Sequence, residues 1–281
     1  MKLKQKLTIG YIRTKFRLLS LVSKRKAAEQ AFALFCTPFS SNPKRKPTIF
    51  KWAEEIRFRM DGMIIRGYRW NHKRPKKILI LHGFGSAAYK FNAYIEPLLQ
   101  KGYEVIAFDA PAHASSTGKT VNAIQYSNMI AQVMRRYGPI DGFIAHSFGG
   151  LALSLTLEKI KHDEETKVVL IAPATETTTA IDQAFYKLRL DDAAVRKELE
   201  MVIIEVSGQH PKWFSINRAM KNINAEVLWF HDEEDKITPL ADALKTKEKN
   251  LPNVEFVITK GLGHKRIYSD ETVKKRAVDF L

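Results

Sequence analysis

Apolar residues recur along this chain with three spacings, and each predicts a different kind of structure. Over residues 12–35 the spacing is helical: Ile12, Phe16 and Leu19 stand three or four apart, and Ala28, Ala31, Phe32 and Phe35 repeat the pattern after Lys24, Arg25 and Lys26. One or two amphipathic helices are expected, ending before Pro38, with Pro38, Pro43 and Pro47 marking a linker across 37–47. From about residue 54 the pattern shortens. Glu55–Met60 and Met63–Trp70 flank Asp61 and Gly62, the tight turn of a β-hairpin.

Past residue 76 the third spacing takes over, as continuous apolar runs at Lys77–Leu81, Glu104–Phe108, Gly142–Ala145, Val168–Ile171, Val227–Phe230 and Val254–Ile258. Helical patterns near 88–101, 121–137, 149–161, 239–250 and 269–281 stand between and after them. Strands without a polar face are buried on both sides, so this alternation predicts an α/β architecture with a mostly parallel sheet covered by helices. Residues 174–222 break the rhythm as a helical insert between two strands, where a lid would belong. The expected organisation is a helical extension and linker over 1–50, then one domain over 51–281 that carries the insert.

Composition changes this picture little, but charge placement changes it. At 45% apolar and 27% charged residues the chain has a globular composition, and no apolar run nears the roughly 20 residues that cross a bilayer. The net charge of +16 is confined to one end: residues 1–77 hold 21 of the 46 basic residues and 4 of the 30 acids. A basic appendage on a neutral body is expected, and Phe16, Leu18, Leu19, Leu21 and Val22 beside basic residues suit a helix lying on an anionic membrane surface. No motif with stacking aromatics points to nucleic acid. Arg13, Lys15 and Arg17 interrupt any apolar run a secretory leader would need, and Cys36 is the single cysteine, so no disulfide can form within the chain. A cytoplasmic protein, peripheral to the inner membrane surface, is the expectation.

In an open parallel sheet, ligands bind beyond the carboxyl ends of the strands, so the residues just past each apolar run carry the chemistry. After the run ending at Ala145 come His146, Ser147, Phe148 and Gly149, with Ser147 at a strand-to-helix junction and small residues two before and two after it. That is the pattern of a nucleophile elbow, where backbone crowding excludes larger side chains. After Leu81 comes HGFGS (82–86), whose Phe84 amide, in preference to that of Gly83, is expected to form an oxyanion hole with the Phe148 amide. After Phe230 comes HDEEDKITP (231–239), with four acids. Asp235 is placed best because Pro239 then opens the next helix, and Asp232 is the reserve. After Ile258 comes TKGLGHK, which puts His264 in a glycine-bracketed loop. Ser147 as nucleophile, Asp235 as orienting carboxylate and His264 as base form a set in chain order, each from a separate strand end.

Together with FDAPAHASSTG (108–118), these segments resemble the α/β-hydrolase superfamily, nearest its small serine esterase and aminopeptidase-like branches, over about residues 55–281. The family has glycine where this chain has Ala112, Ala114 and Ala145. The resemblance implies an α/β-hydrolase fold, with an eight-stranded mostly parallel sheet and a helical lid, and covalent acyl-enzyme chemistry at Ser147, Asp235 and His264. A serine hydrolase of carboxylic esters, with thioesters and amides as neighbouring substrates, is the expected function; a fold retained as a binding or scaffold module is the alternative. Phe185 and Trp213 in the apolar insert are expected to contact substrate. No metal or organic cofactor is expected, because the acid cluster lacks partner ligands.

Overall fold

A computed structural model describes residues 3–39, 46–190 and 192–281, with side chains from Gly10 onward. In chain order its elements begin with α1 (Leu3–Val22), α2 (Lys24–Phe35), β1 (Glu54–Met60), β2 (Met63–Trp70), β3 (Lys77–Leu81), α3 (Asn92–Gln100), β4 (Glu104–Phe108) and α4 (Ala123–Tyr137). Next come β5 (Gly142–His146), α5 (Phe148–Leu157), β6 (Lys167–Ile171), α6 (Thr177–Leu188), α7 (Ala193–Ser207) and α8 (Ile216–Ala219). The chain closes with β7 (Glu226–Asp232), α9 (Leu240–Lys247), β8 (Val254–Thr259), α10 (Gly263–Arg266) and α11 (Glu271–Phe280). The linker expected over 37–47 falls largely on residues 40–45, outside the described residues. The chain divides into two compact units, Met1–Thr37 with Glu176–Phe214, and Pro38–Thr175 with Ser215–Leu281.

All eight strands read from the sequence form, and they make one sheet in the order β1-β2-β4-β3-β5-β6-β7-β8. β1 and β2 are antiparallel to their neighbours; from β4 to β8 every pairing is parallel. Period-two alternation builds two cores from one strand: Ile78 and Ile80 join Phe91, Tyr94 and Val278, while Leu79 and Leu81 point to the opposite face and are equally buried. Each such side chain contributes roughly 1.5–3 kcal/mol by leaving water. Trp229 on β7 is fully buried and stacks on its register partner Phe256, with ring centroids 4.9 Å apart.

Helix boundaries follow local chemistry. α4 starts at Ala123, because Asn122 and Gln125 exchange side-chain and backbone hydrogen bonds in a capping box. It buries the stripe Tyr126, Met129, Ile130 and Val133. α5 is buried on every side from Gly149 to Leu157, which is why no amphipathic period marks it.

In the other unit, α2 packs on α7 through the small side chains Ala27, Ala28 and Ala31 and the buried Val195, Leu199 and Val202. Lys24 pairs with Asp192, the residue that caps α7, and Arg25 pairs with Glu205 and Glu29. These exposed pairs add little to stability, because water and salt screen them. The basic N-terminal segment, read from the sequence as an appendage of its own, thus shares a unit with residues 176–214, whereas 215–222 belong with the sheet. Phe16, expected on the outer side of α1, is buried, because the helix phase turns it to the opposite face from Leu18, Leu21 and Val22. Among the described residues no helix is long and apolar enough to cross a membrane.

Candidate active site

Because β3, β5, β7 and β8 run parallel, the residues just beyond Leu81, His146, Asp232 and Thr259 gather at one sheet edge. Ser147 follows β5 directly with φ 52° and ψ −120°, a conformation that costs a non-glycine residue roughly 1–3 kcal/mol. Its surroundings hold it there. The Ser147 amide donates to the Ile171 carbonyl at 3.1 Å, and its own carbonyl accepts from the amides of Gly150 and Ala174 at 3.0 Å. Gly149 is obligatory, since a Cβ there would stand 2.7 Å from the His82 carbonyl oxygen and 2.8 Å from that of Leu81. Ala145, two residues before Ser147, is fully buried, and its methyl group fits where the resemblance led us to expect glycine.

Three side chains expected from the sequence come together. His264 Nε2 lies 3.0 Å from Ser147 Oγ, and His264 Nδ1 lies 2.8 Å from Asp235 Oδ2. The Asp235 carboxylate also accepts from the amides of Ile237 (2.8 Å) and Thr238 (2.9 Å) and from the Thr238 hydroxyl (2.8 Å). Burial works against its charge, but the hydrogen bond and attraction from His264, with those two amides, outweigh it and hold the carboxyl below its ordinary range. An ionised Asp235 fixes the proton of His264 on Nδ1 and leaves Nε2 free to accept a proton from the serine hydroxyl.

Asp232, the reserve acid, has a different task. It is fully buried and accepts from the Thr259 hydroxyl (2.7 Å) and the amides of Leu262 (3.0 Å), Gly263 (2.8 Å) and Glu234 (3.0 Å). It therefore fastens the loop that carries His264 and does not touch the imidazole through any of these bonds. Glu233 and Glu234 are exposed.

The HGFGS segment forms a turn closed by the Ser86 amide on the Gly83 carbonyl (3.1 Å), with Gly85 at φ +68° in its third position as a type II turn requires. Two buried histidines anchor it. His113 Nε2 accepts the Gly85 amide at 2.9 Å, and His82 Nε2 accepts the Ala110 amide at 2.9 Å. Both rings are therefore neutral, with the proton on Nδ1, where each faces a carbonyl: Pro111 for His113 and Gly83 for His82. Burial lowers the pKa of His82 to about 4, and burial together with neighbouring His82 lowers that of His113 to about 3. The Phe84 and Phe148 rings meet edge to face, with centroids 5.7 Å apart, so the two residues whose amides were singled out are neighbours.

Thr238 and His113 carry roles that the sequence did not announce. Thr238 stands between Asp235 and the helix-opening Pro239 with nothing in the sequence to single it out, and His113 sits inside FDAPAHASSTG; its position beyond β4 was the available signal. Phe185 and Trp213 lie in the unit built from 1–37 and 176–214, where Arg196 sits over the Phe185 ring and Trp213 packs edge to face on Phe214. A cavity of about 730 Å³ lies in the sheet's own unit, lined by Ile78, Asp141, Phe143, Thr166 and Lys167. Those residues are at the strand beginnings, the edge opposite Ser147, and share nothing with this site.

Comparison with known proteins agrees with this architecture. A model of the alpha/beta hydrolase family matches residues 78–255. The chain is 29% identical over 120 residues to the uncharacterized hydrolase YugF of Bacillus subtilis, covering 41% of this chain and 43% of that one. It is 28% identical over 147 residues to Methylesterase 2 of Arabidopsis thaliana, covering 48% and 55%. The matched stretches thus span about half the length of these relatives. The solved structure of the Pyrococcus furiosus esterase Pf2001 superposes with a TM-score of 0.66 at 20% identity, over 87% of this chain and 98% of that one, a likeness of fold.

Proposed function

The chain belongs to the alpha/beta hydrolase family, and on that premise we propose that it is a serine hydrolase cleaving carboxylic esters through an acyl-enzyme, with thioesters and amides as neighbouring substrates. The observation that carries this reading is the hydrogen-bonded series from Ser147 Oγ through His264 to Asp235, at 3.0 and 2.8 Å.

Ser147 Oγ attacks the acyl carbon while its proton passes to His264 Nε2, and Asp235 stabilises the imidazolium that results. Negative charge gathers on the former carbonyl oxygen, which the amides of Phe84 and Phe148 are assigned to receive. Phe148 suits this role because the first amides of a helix have no partner within it. One such donor is worth about 3–4 kcal/mol in the transition state. The imidazolium then protonates the leaving alcohol, and a water activated by the same imidazole releases the acid. A methylesterase among the relatives supports an ester as substrate.

Hydrolysis of p-nitrophenyl esters of increasing acyl length, beside an aminoacyl-naphthylamide, tests the reading. Ester turnover is expected, falling by at least about 10⁴-fold in Ser147→Ala. Equal rates for native and variant protein would reject it. A folded native chain inert toward every substrate would favour the fold's retention as a binding or scaffold module.

A further inference from the structure

Helix α1 turns its apolar side the wrong way for a helix that ends its duties inside the protein. Phe16 is buried, yet Tyr11, Leu18, Leu21 and Val22 are 61–82% exposed. Residues seven and eleven apart share one helix face, so Tyr11, Leu18 and Val22 form a stripe, and Leu21 lies one row beside it. Lys15 and Arg17 are exposed at the flanks of the same face, and α1 contains no acid. Their situation differs from that of the basic residues on α2. There Lys24 and Arg25 are engaged by Asp192, Glu205 and Glu29 within the unit, whereas no carboxylate among the described residues lies within 4.0 Å of Lys15 or Arg17.

From this pairing of exposed apolar residues with unpaired cations, we propose that the outer face of α1 docks on an anionic lipid surface. The apolar stripe enters the headgroup boundary, and Lys15 and Arg17 meet lipid phosphates. Burying a leucine strengthens such binding by about tenfold or more, and a basic residue near an anionic surface by roughly fivefold. Charge decides between lipid and a second copy of the chain. A symmetric contact through this face would set the cations of two α1 helices against each other with no acid on either to pair them. Because α1 shares a unit with residues 176–214, the docking surface belongs to the same unit as the insert.

The test is co-sedimentation of the full-length protein with vesicles of phosphatidylglycerol and phosphatidylcholine, or of phosphatidylcholine alone, at low and high salt. Binding to the anionic vesicles is expected, weakening with salt and falling more than tenfold in Leu21→Asp/Val22→Asp. A similar fall is expected in Lys15→Glu/Arg17→Glu, whose exposed positions leave folding untouched. Hydrolysis of a water-soluble ester by the same variants should stay within about twofold of native, which separates loss of docking from failure of the catalytic proposal. Three results would overturn the inference: no binding to either vesicle at low salt, equal binding to both compositions, or a native dimer, abolished by Leu21→Asp/Val22→Asp, with no vesicle binding.

Discussion

Asp232 accepts the Gly263 amide at 2.8 Å, with a second oxygen on the Leu262 amide at 3.0 Å, and so grips the backbone immediately before His264. Its removal acts through position, because the partly buried amides of Leu262 and Gly263 and the Thr259 hydroxyl lose their acceptor. Asp232→Ala is expected to cost about 1–3 kcal/mol in urea unfolding and to lower ester kcat on the order of tenfold with a smaller change in KM. Exposed Glu233→Ala should change stability by less than about 0.5 kcal/mol.

Acid should unpick the same contacts. Burial disfavours the charge of both Asp232 and Asp235, but hydrogen bonds from Thr259, Gly263 and Leu262 to the first, and from His264, Thr238 and Ile237 to the second, outweigh it. Each folded-state pKa therefore lies below its unfolded value. The stability they supply is complete above about pH 4 and is lost as pH falls through the folded values. Urea unfolding from pH 7 to pH 3 should show the gap between native protein and Asp232→Asn closing only below about pH 4.

His113 predicts a different window. It is neutral in the fold, with a pKa lowered to about 3, so unfolding takes up a proton at any pH between that value and its ordinary 6.5. Stability should fall as pH drops from 6.5, by about 1.4 kcal/mol per pH unit for each such proton. His113→Gln, whose side-chain oxygen can still accept the Gly85 amide, should flatten that slope by about one proton between pH 6 and 4, read from unfolding midpoints.

Ala112 and Ala114 have φ of 61° and 41°, in the left-handed region that glycine enters without penalty. These are two of the positions where the resembled family carries glycine, and the loop keeps the conformation without it. Ala112→Gly is expected to raise stability by about 0.5–1 kcal/mol, measured as an upward shift in Tm.

The strands were legible because buried parallel strands such as Lys77–Leu81 are continuous apolar runs, and the proximity of Ser147, Asp235 and His264 because each stands in the loop that follows one of those runs. What period could not show was hydrogen-bond partnership. Asp232 and Asp235 are alike as letters, and only the folded loop reveals that one faces the imidazole while the other faces amides. The outer face of α1 was half legible: Leu18, Leu21 and Val22 are exposed as expected, but Phe16 is not, since a four-residue spacing does not reveal which side of a helix turns inward. The union of the basic segment with the insert rests on the packing of α2 against α7, and with it come contacts 168 and 180 residues apart, Lys24 to Asp192 and Arg25 to Glu205, which no local pattern records.

Covalent labelling by a fluorophosphonate, read as intact and peptide mass, addresses the reactivity of Ser147 directly. A single adduct on Ser147 is expected in the native chain, absent in Ser147→Ala and formed at least a hundredfold more slowly in His264→Ala. An adduct at another residue, or Ser147 labelled equally fast without His264, would contradict an imidazole-activated serine.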